Sequence, residues 1–338
     1  MIVRIGDAEL FGRDRTEHSD DHQRHYKRAM SLHLGLDVGG TNLKWAVVER
    51  ESLEPRLVKT GLLPTDTREG ERSVVRQLIE VARIVFGDIQ GIESVGVGMP
   101  GVLDPAAGVT RFIPNIPGHW DGVQVTDAIA RAVEVPCHLI NDARAFALAE
   151  HGLGAGRGAT SMLGITLGTG VGGGLILDGR LHLGYQGTAG EFGHQTIVPD
   201  GPPCGCGNRG CLETFARASV IAAASGQPDA EAAVAAARAG DSRAQQAFRD
   251  AGRYLGIGVS NVVVLVGVDR VVLGGGVAAA GELLLRPIRE ELQRRVHVTD
   301  VARIKVVCGE LGIWAGAIGA ALHSSPVRLH APHPDPLP

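Results

Sequence analysis

"LHLGLDVGGTNLKWAVVE" (residues 32–49) and "SMLGITLGTGVGGGLILDGRLHLG" (residues 161–184) decide the fold by their likeness. Each reads as strand, tight glycine turn, strand. A third strand follows both, from "PRLVKTGLL" (55–63) in the first and across the Asp178-Gly179 turn in the second. Beyond the first meander, Val74, Val75, Leu78, Ile79, Ala82, Val85 and Phe86 mark one helical face over 68–86, and "SVGVGMPG" (94–101) returns as a buried strand. Beyond the second, alanine-rich helices run from about 213 to 266. "VDRVVLGGG" (268–276) is then a strand ending in three glycines, and "GELLLRPIREELQRRV" (281–296) is a helix. Two halves built alike point to an internally duplicated α/β protein. "IPNIPGHWDG" (113–122), rich in Pro and Gly, reads as the linker between them, and a last helix from about Ile313 to Leu322 is placed to pack back on the first half.

The outer limits agree with this. A chain of 338 residues has room for about two domains and an ample core. A net charge of -4 leaves no basic footprint for nucleic acid. The longest apolar run, Tyr254 to Val268, is shorter than the roughly 18 residues of a membrane helix. Residues 1–31 are polar and without periodicity, so a loose extension with no signal peptide is expected, and 324–338 is expected to be a loose tail. Five cysteines, an odd number, argue against a disulfide framework. Cys137 and Cys308 read as core residues, and the whole points to a soluble cytoplasmic chain.

The glycine turns carry the first chemistry. "DVGGTN" (37–42) and "LGTGVGGG" (167–174) occupy the same place in each half. Glycines let backbone N–H groups converge on anionic oxygens, and Thr41 and Thr169 add hydroxyls. Singly, each is equally an ordinary hairpin turn; together they read as a grip on a polyphosphate. Asp37 would hold a magnesium ion, directly or through water. The phosphate-loop pattern G-x-x-x-x-G-K-[ST] is missing. A third cluster, Gly274, Gly275 and Gly276, sits at a strand-to-helix turn suited to a nucleotide contact. Asn141-Asp142 ends the strand 137–140. Either residue could cap the helix that follows, and a carboxylate there could equally accept the proton of an attacking hydroxyl.

"HQTIVPDGPPCGCGNRGCLE" (194–213) brings His194 together with Cys204, Cys206 and Cys211. Three cysteines and one histidine make a closed tetrahedral zinc set, so the metal is expected to be structural. It would fix the loop that presents Glu191 and Glu213 as acceptors for a polyhydroxylated ligand.

These motifs, with "GEFGH" (190–194), resemble the ROK family of sugar kinases, repressors and related reading frames, over about Leu34 to Leu322. The resemblance implies an actin-like ATPase (ribonuclease H-like) fold, with two α/β domains around a cleft: 32–139, joined by a C-terminal helix 312–323, and a larger 140–311 carrying the zinc loop 194–211. It implies an ATP-dependent hexose kinase, with glucose the foremost substrate. Fructose, mannose, N-acetylglucosamine and N-acetylmannosamine stand as alternatives, as does a sugar-sensing repressor. By the same resemblance, Asp37, Gly39, Gly40, Thr41, Asn42, Lys44, Gly168, Thr169, Gly170 and Gly172 contact ATP, with Gly274 to Gly276 near the nucleoside. Asp142 is the catalytic base. Gly101, Asn115, Asn141, Glu191, His194 and Glu213 contact the sugar, His194 using its second ring nitrogen. A homodimer is the family expectation. The repressor reading is opposed by the 31 polar residues ahead of the first strand, which lack the pattern of a helix-turn-helix module.

Overall fold

Runs that are apolar on both faces make buried strands, and amphipathic runs make the helices that cover them. The computed structural model describes residues 4–6, 31–51 and 54–325, and these divide into two units.

The first unit runs to Leu139 and takes back the chain at Ala320. Its sheet contains β1 (Arg4–Gly6), β2 (Ser31–Val38), β3 (Asn42–Glu51), β4 (Glu54–Pro64), β5 (Ile92–Met99) and, at the edge where the chain leaves the unit, β8 (Cys137–Asn141). The order is β1-β4-β3-β2-β5-β8. β2, β3 and β4 pair antiparallel, and β5 lies parallel to β2. A small hairpin, β6 (Val102–Asp104) with β7 (Val109–Phe112), lies outside this sheet. α1 (Glu71–Asp88) buries Val74, Leu78, Ala82 and Val85 of the expected stripe, with Val81 in addition, while Val75, Ile79 and Phe86 are only partly buried; α2 (Val125–Val133) follows β7.

The second unit holds the five-stranded sheet β11-β10-β9-β12-β13. Its strands are β9 (Met162–Leu167), β10 (Val171–Leu177), β11 (Arg180–His182), β12 (Arg270–Gly274) and β13 (Lys305–Cys308). β9, β10 and β11 form an antiparallel meander, and β12 lies parallel to β9 and β13. Its helices are α3 (Asp142–Leu153), α4 (Glu213–Ala216), α5 (Ala218–Ser225), α6 (Ala230–Arg238), α7 (Ser242–Val266) and α8 (Glu282–Arg295). Leaving β1 aside, both sheets place their strands in the same sequence: third, second, first, fourth, fifth. The duplication is therefore one of topology.

Three expectations are corrected. Residues 113–122 are no linker: Ile113, Ile116 and Trp120 are buried in the first unit's core, and Trp120 Nε1 donates to Ile116 O at 3.0 Å. The chain crosses between units inside β8 and again inside α9 (Ala315–Ser324). The last helix is accordingly split, not joined whole to the first unit. Gly319 lies against Ala145 O of α3, and Ala320 O against Gly96 of β5. The N-terminal extension contributes a strand, Arg4–Gly6, paired antiparallel with β4. The rest of it, and the tail beyond Ser325, lie outside the described residues. Cys137 and Cys308 are half-buried, and burial pushes the Cys137 thiol up to about 12. Among the described residues no helix is long and apolar enough to cross a membrane.

Candidate active site

In the first unit, the turn between β2 and β3 is closed by Gly39 N–H donating to Asn42 O at 2.9 Å. Thr65 Oγ1 donates to Gly39 O at 2.7 Å and Thr65 N–H to Thr41 O at 2.9 Å, so the turn is tied to the end of β4. Among the described residues no acceptor engages the N–H groups of Gly40 and Thr41, which are exposed. Asp37 and Lys44 are cross-strand partners, so their side chains share a face, and Lys44 Nζ lies 2.8 Å from Asp37 Oδ2. The nearly buried Asp37 carboxylate thus already has one cation beside it. A Cβ on Gly40 would stand 2.9 Å from Asn115 O, so the exposed Asn115 runs directly over the turn. Gly101, at φ +86°, lies against Phe112 O and lets the 112–115 segment close over it.

In the second unit, the end of β8 shows which of the two neighbours caps α3. Asn141 is the N-cap of α3: its side-chain oxygen accepts from Ala143 N–H at 3.1 Å and Arg144 N–H at 3.4 Å. Asp142 is the first helical residue, with Oδ1 2.8 Å from Ala143 N–H. Arg144, which the sequence did not single out, gives Nη2 to Glu191 Oε1 at 2.9 Å and Nε to Ala189 O at 3.3 Å. The half-exposed Glu191 carboxylate is therefore held by the helix that begins at Asp142.

The second glycine turn has Gly168 N–H donating to Gly170 O at 3.0 Å, while no acceptor engages the N–H groups of Thr169 and Gly170 among the described residues. Glu213, the first residue of α4, accepts from Val171 N–H at 2.9 Å through Oε2. A Cβ on Gly170 would stand 2.5 Å from that oxygen. Ala218 N–H donates to Gly168 O at 2.9 Å. The turn is thus braced from behind by α4 and α5. A cavity of about 270 Å³ beside Trp120 in the first unit lies among 111–121, and one of about 500 Å³ in the second is bordered by Gly168, Thr169 and Gly276. Gly275, at φ +86° against Leu167 O, turns the chain sharply there. Gly172, expected at the phosphates, and Gly274, expected near the nucleoside, each also have close packing neighbours. Gly172 lies inside β10 against Thr166 and Ala143, and Gly274 is buried against the Phe146 ring. Both make room for packing beneath α3.

His194, Cys204, Cys206 and Cys211 converge, each with a ligand atom within 4.8 Å of the others. Cys204 Sγ is 3.7 Å from His194 Nδ1, and Cys206 Sγ is 3.7 Å from Cys211 Sγ. Such sulfurs are too far apart for a disulfide. A tetrahedral zinc with ordinary bond lengths sets its ligands about 3.8 Å apart for two sulfurs and about 3.6 Å for sulfur and nitrogen. The donor set fits the metal in type and number, and these two distances fit its spacing. Asn208 Nδ2 bonds Cys211 Sγ at 3.4 Å, and Thr196 pairs with Cys211. Leu212 N–H donates to Gln195 O at 3.0 Å, so Glu213 follows directly from the loop that carries the three cysteines.

The ROK family model matches residues 33–325. A glucokinase of Thermotoga maritima is 34% identical over 307 residues, covering 85% of this chain and 95% of the relative. A ROK hexokinase from Thermus thermophilus has a TM-score of 0.76 at 38% identity, covering 87% of this chain and 97% of its own. A ROK family glucokinase from Streptomyces griseus, solved with glucose and AMPPNP, has a TM-score of 0.73 at 32% identity, covering 87% and 99%.

Proposed function

The chain belongs to the ROK family, and from that premise we infer that it is a sugar kinase: it transfers a phosphoryl group from ATP to glucose. Its sheets have the actin-like ATPase fold. The observation that carries the chemistry is the junction at the end of β8. Because Asn141 supplies the helix cap, Asp142 is not needed for it, and a carboxylate at a strand's C-terminal end stands where ligands bind in α/β sheets.

In this reading the sugar hydroxyl oxygen attacks the γ-phosphorus, and its proton passes to the Asp142 carboxylate. The bond from γ-phosphorus to the bridging oxygen breaks, and ADP leaves with that electron pair. Phosphoryl transfer needs mostly positioning and charge neutralisation. The open N–H groups of Gly40, Thr41, Thr169 and Gly170 suit phosphate oxygens. Magnesium, when bound, neutralises phosphate charge, and Asp37 would hold it directly or through water, with Lys44 beside it. Asn115, Asn141, Glu191, His194 and Glu213 would hold the sugar. His194 Nδ1 faces the thiols, which leaves Nε2 for a hydroxyl. A structural zinc on His194, Cys204, Cys206 and Cys211 would fix the loop between Glu191 and Glu213. We further propose that the enzyme works as a cytoplasmic homodimer.

Phosphorus NMR of the metal-replete protein with ATP, magnesium and glucose tests the reading. Glucose 6-phosphate and ADP are expected in equal amounts. Turnover confined to another hexose or an N-acetylhexosamine would replace the substrate, and sugar binding with no turnover on any would replace the enzyme with a sensor.

A further inference from the structure

Two limbs of chain face each other across the Pro- and Gly-rich stretch of the first unit. Gly122 N–H donates to Thr110 O at 2.9 Å, Thr110 N–H donates to Val123 O at 3.2 Å, and Thr110 Oγ1 bonds Trp120 O. Glu71, the first residue of α1, accepts from His119 N–H at 2.9 Å and pins the second limb. The cavity of about 270 Å³ is bordered by both limbs, with Arg111, Phe112 and Ile113 from one and His119, Trp120 and Asp121 from the other. Ile113 and Trp120 are buried and give it an apolar part, and the Trp120 donor is already spent on Ile116 O at 3.0 Å. Phe112 is exposed, and its cross-strand partner on β6, Val102, leaves it so. Arg111 has Asp104 at 3.0 Å and Asp121 at 3.6 Å, so acid outnumbers base there.

Each feature limits the ligand. The volume falls below the roughly 300–1,000 Å³ of pockets that hold drug-sized molecules, so it suits a single ring rather than a nucleotide. Two carboxylates on one guanidinium repel an anion, which disfavours a phosphorylated compound. An exposed aromatic ring beside buried apolar side chains suits the C–H face of a ring whose edge is wet. Guanidinium donors next to a carboxylate acceptor match vicinal hydroxyls, each of which both donates and accepts. We propose that this cavity is a second saccharide site: it holds one neutral pyranose, stacked on Phe112 and hydrogen-bonded through its hydroxyls to Arg111 and Asp121. The site shares no residue with the sugar contacts named for the kinase, so it stands whether or not the chain phosphorylates sugar.

Equilibrium dialysis of labelled glucose in the absence of nucleotide tests this apart from catalysis. The parent is expected to bind two equivalents per chain, the weaker with a Kd of about 1 mM, ordinary for a ligand of this size. Phe112→Ala and Asp121→Ala both change exposed side chains, so the fold should be retained. Each variant should weaken one equivalent by about tenfold and leave the other at the parent affinity. A single equivalent that both variants weaken would support this site and contradict the sugar contacts of the kinase reading alone. A single equivalent untouched by either variant would overturn the proposal, as would two equivalents that keep the parent affinity in either variant, or no glucose bound at all.

Discussion

Arg144 stands two residues beyond Asp142, and its guanidinium reaches a carboxylate 47 residues along the chain. Its side chain is only 10% exposed, against 52% for Glu191, so the arginine anchors and the glutamate is presented. Arg144→Met keeps the buried aliphatic length and removes the ion pair. The sugar KM is expected to rise about tenfold, as for a lost hydrogen bond to a charged group, with ATP affinity unchanged. An unaltered sugar KM would remove Arg144 from the site. No local pattern marks this residue, because its partner is set by how α3 lies on the sheet. The convergence of His194 with the three cysteines was legible for the opposite reason: it is written in close spacing, as is the strand-to-helix junction at Asn141-Asp142. Even there, which of the two neighbours caps the helix needed the backbone geometry, since Asn and Asp cap equally well.

The zinc loop and the second glycine turn, at the scale of elements, form one construction. His194, Cys204, Cys206 and Cys211 converge, Leu212 bonds back to Gln195, and Glu213 grips Val171 at 2.9 Å, so a zinc held by the four would fix the chain up to Cys211. Loosening the metal loop should therefore disturb both the sugar contacts and the turn. Cys206→Ser breaks a four-ligand shell, and the expected results are zinc content falling below one per chain, a higher sugar KM and a lower kcat. Helix content should largely persist, because α5 to α8 share one buried core with β9 and β12. Elemental analysis finding no zinc in protein purified without chelator would contradict the brace, and full activity after verified metal removal would make it dispensable. The glycines show what a motif can and cannot convey. A glycine signals that a side chain is excluded, not which neighbour excludes it. A Cβ on Gly172 would meet Ala143, and one on Gly274 the Phe146 ring.

Across the whole molecule, the duplicated meander was readable because period-two patterns and glycine turns recur in order. The crossing points were not, since they fall inside β8 and α9, where composition does not change. The Pro- and Gly-rich 113–122 marks instead a tight path across the first unit's core. That core also carries a pH dependence. His33 is held near a pKa of about 4, by burial first and then by Arg50, and His323 near about 4, by burial first and then by His138. His33 Nδ1 meets Ser94 Oγ at 2.7 Å, and Ser94 Oγ meets Ser324 Oγ at 2.8 Å, which joins β2, β5 and the end of α9. Both imidazoles are neutral in the native state. Above about pH 6.5 the folded and unfolded chains are equally neutral there and stability is complete. Between about 6.5 and 4 the unfolded chain takes up protons that the native state refuses, so stability falls as pH falls. Denaturant titrations from pH 7 to 5 should show that slope, reduced in His33→Gln and His323→Gln. A flat profile in the parent would contradict the buried neutral pair.

Whether Asp142 moves the proton is the claim on which the enzyme reading turns, and Asp142→Asn tests it most directly. Asn141 keeps the cap of α3 in the variant, so the fold should be retained. ADP release with glucose and glucose binding by calorimetry are measured side by side in parent and variant. Turnover should fall by roughly 10²–10⁴-fold, the range of a lost general base, while glucose affinity changes only a few-fold at about the level of one neutral hydrogen bond. Equal turnover in the two proteins would contradict the account.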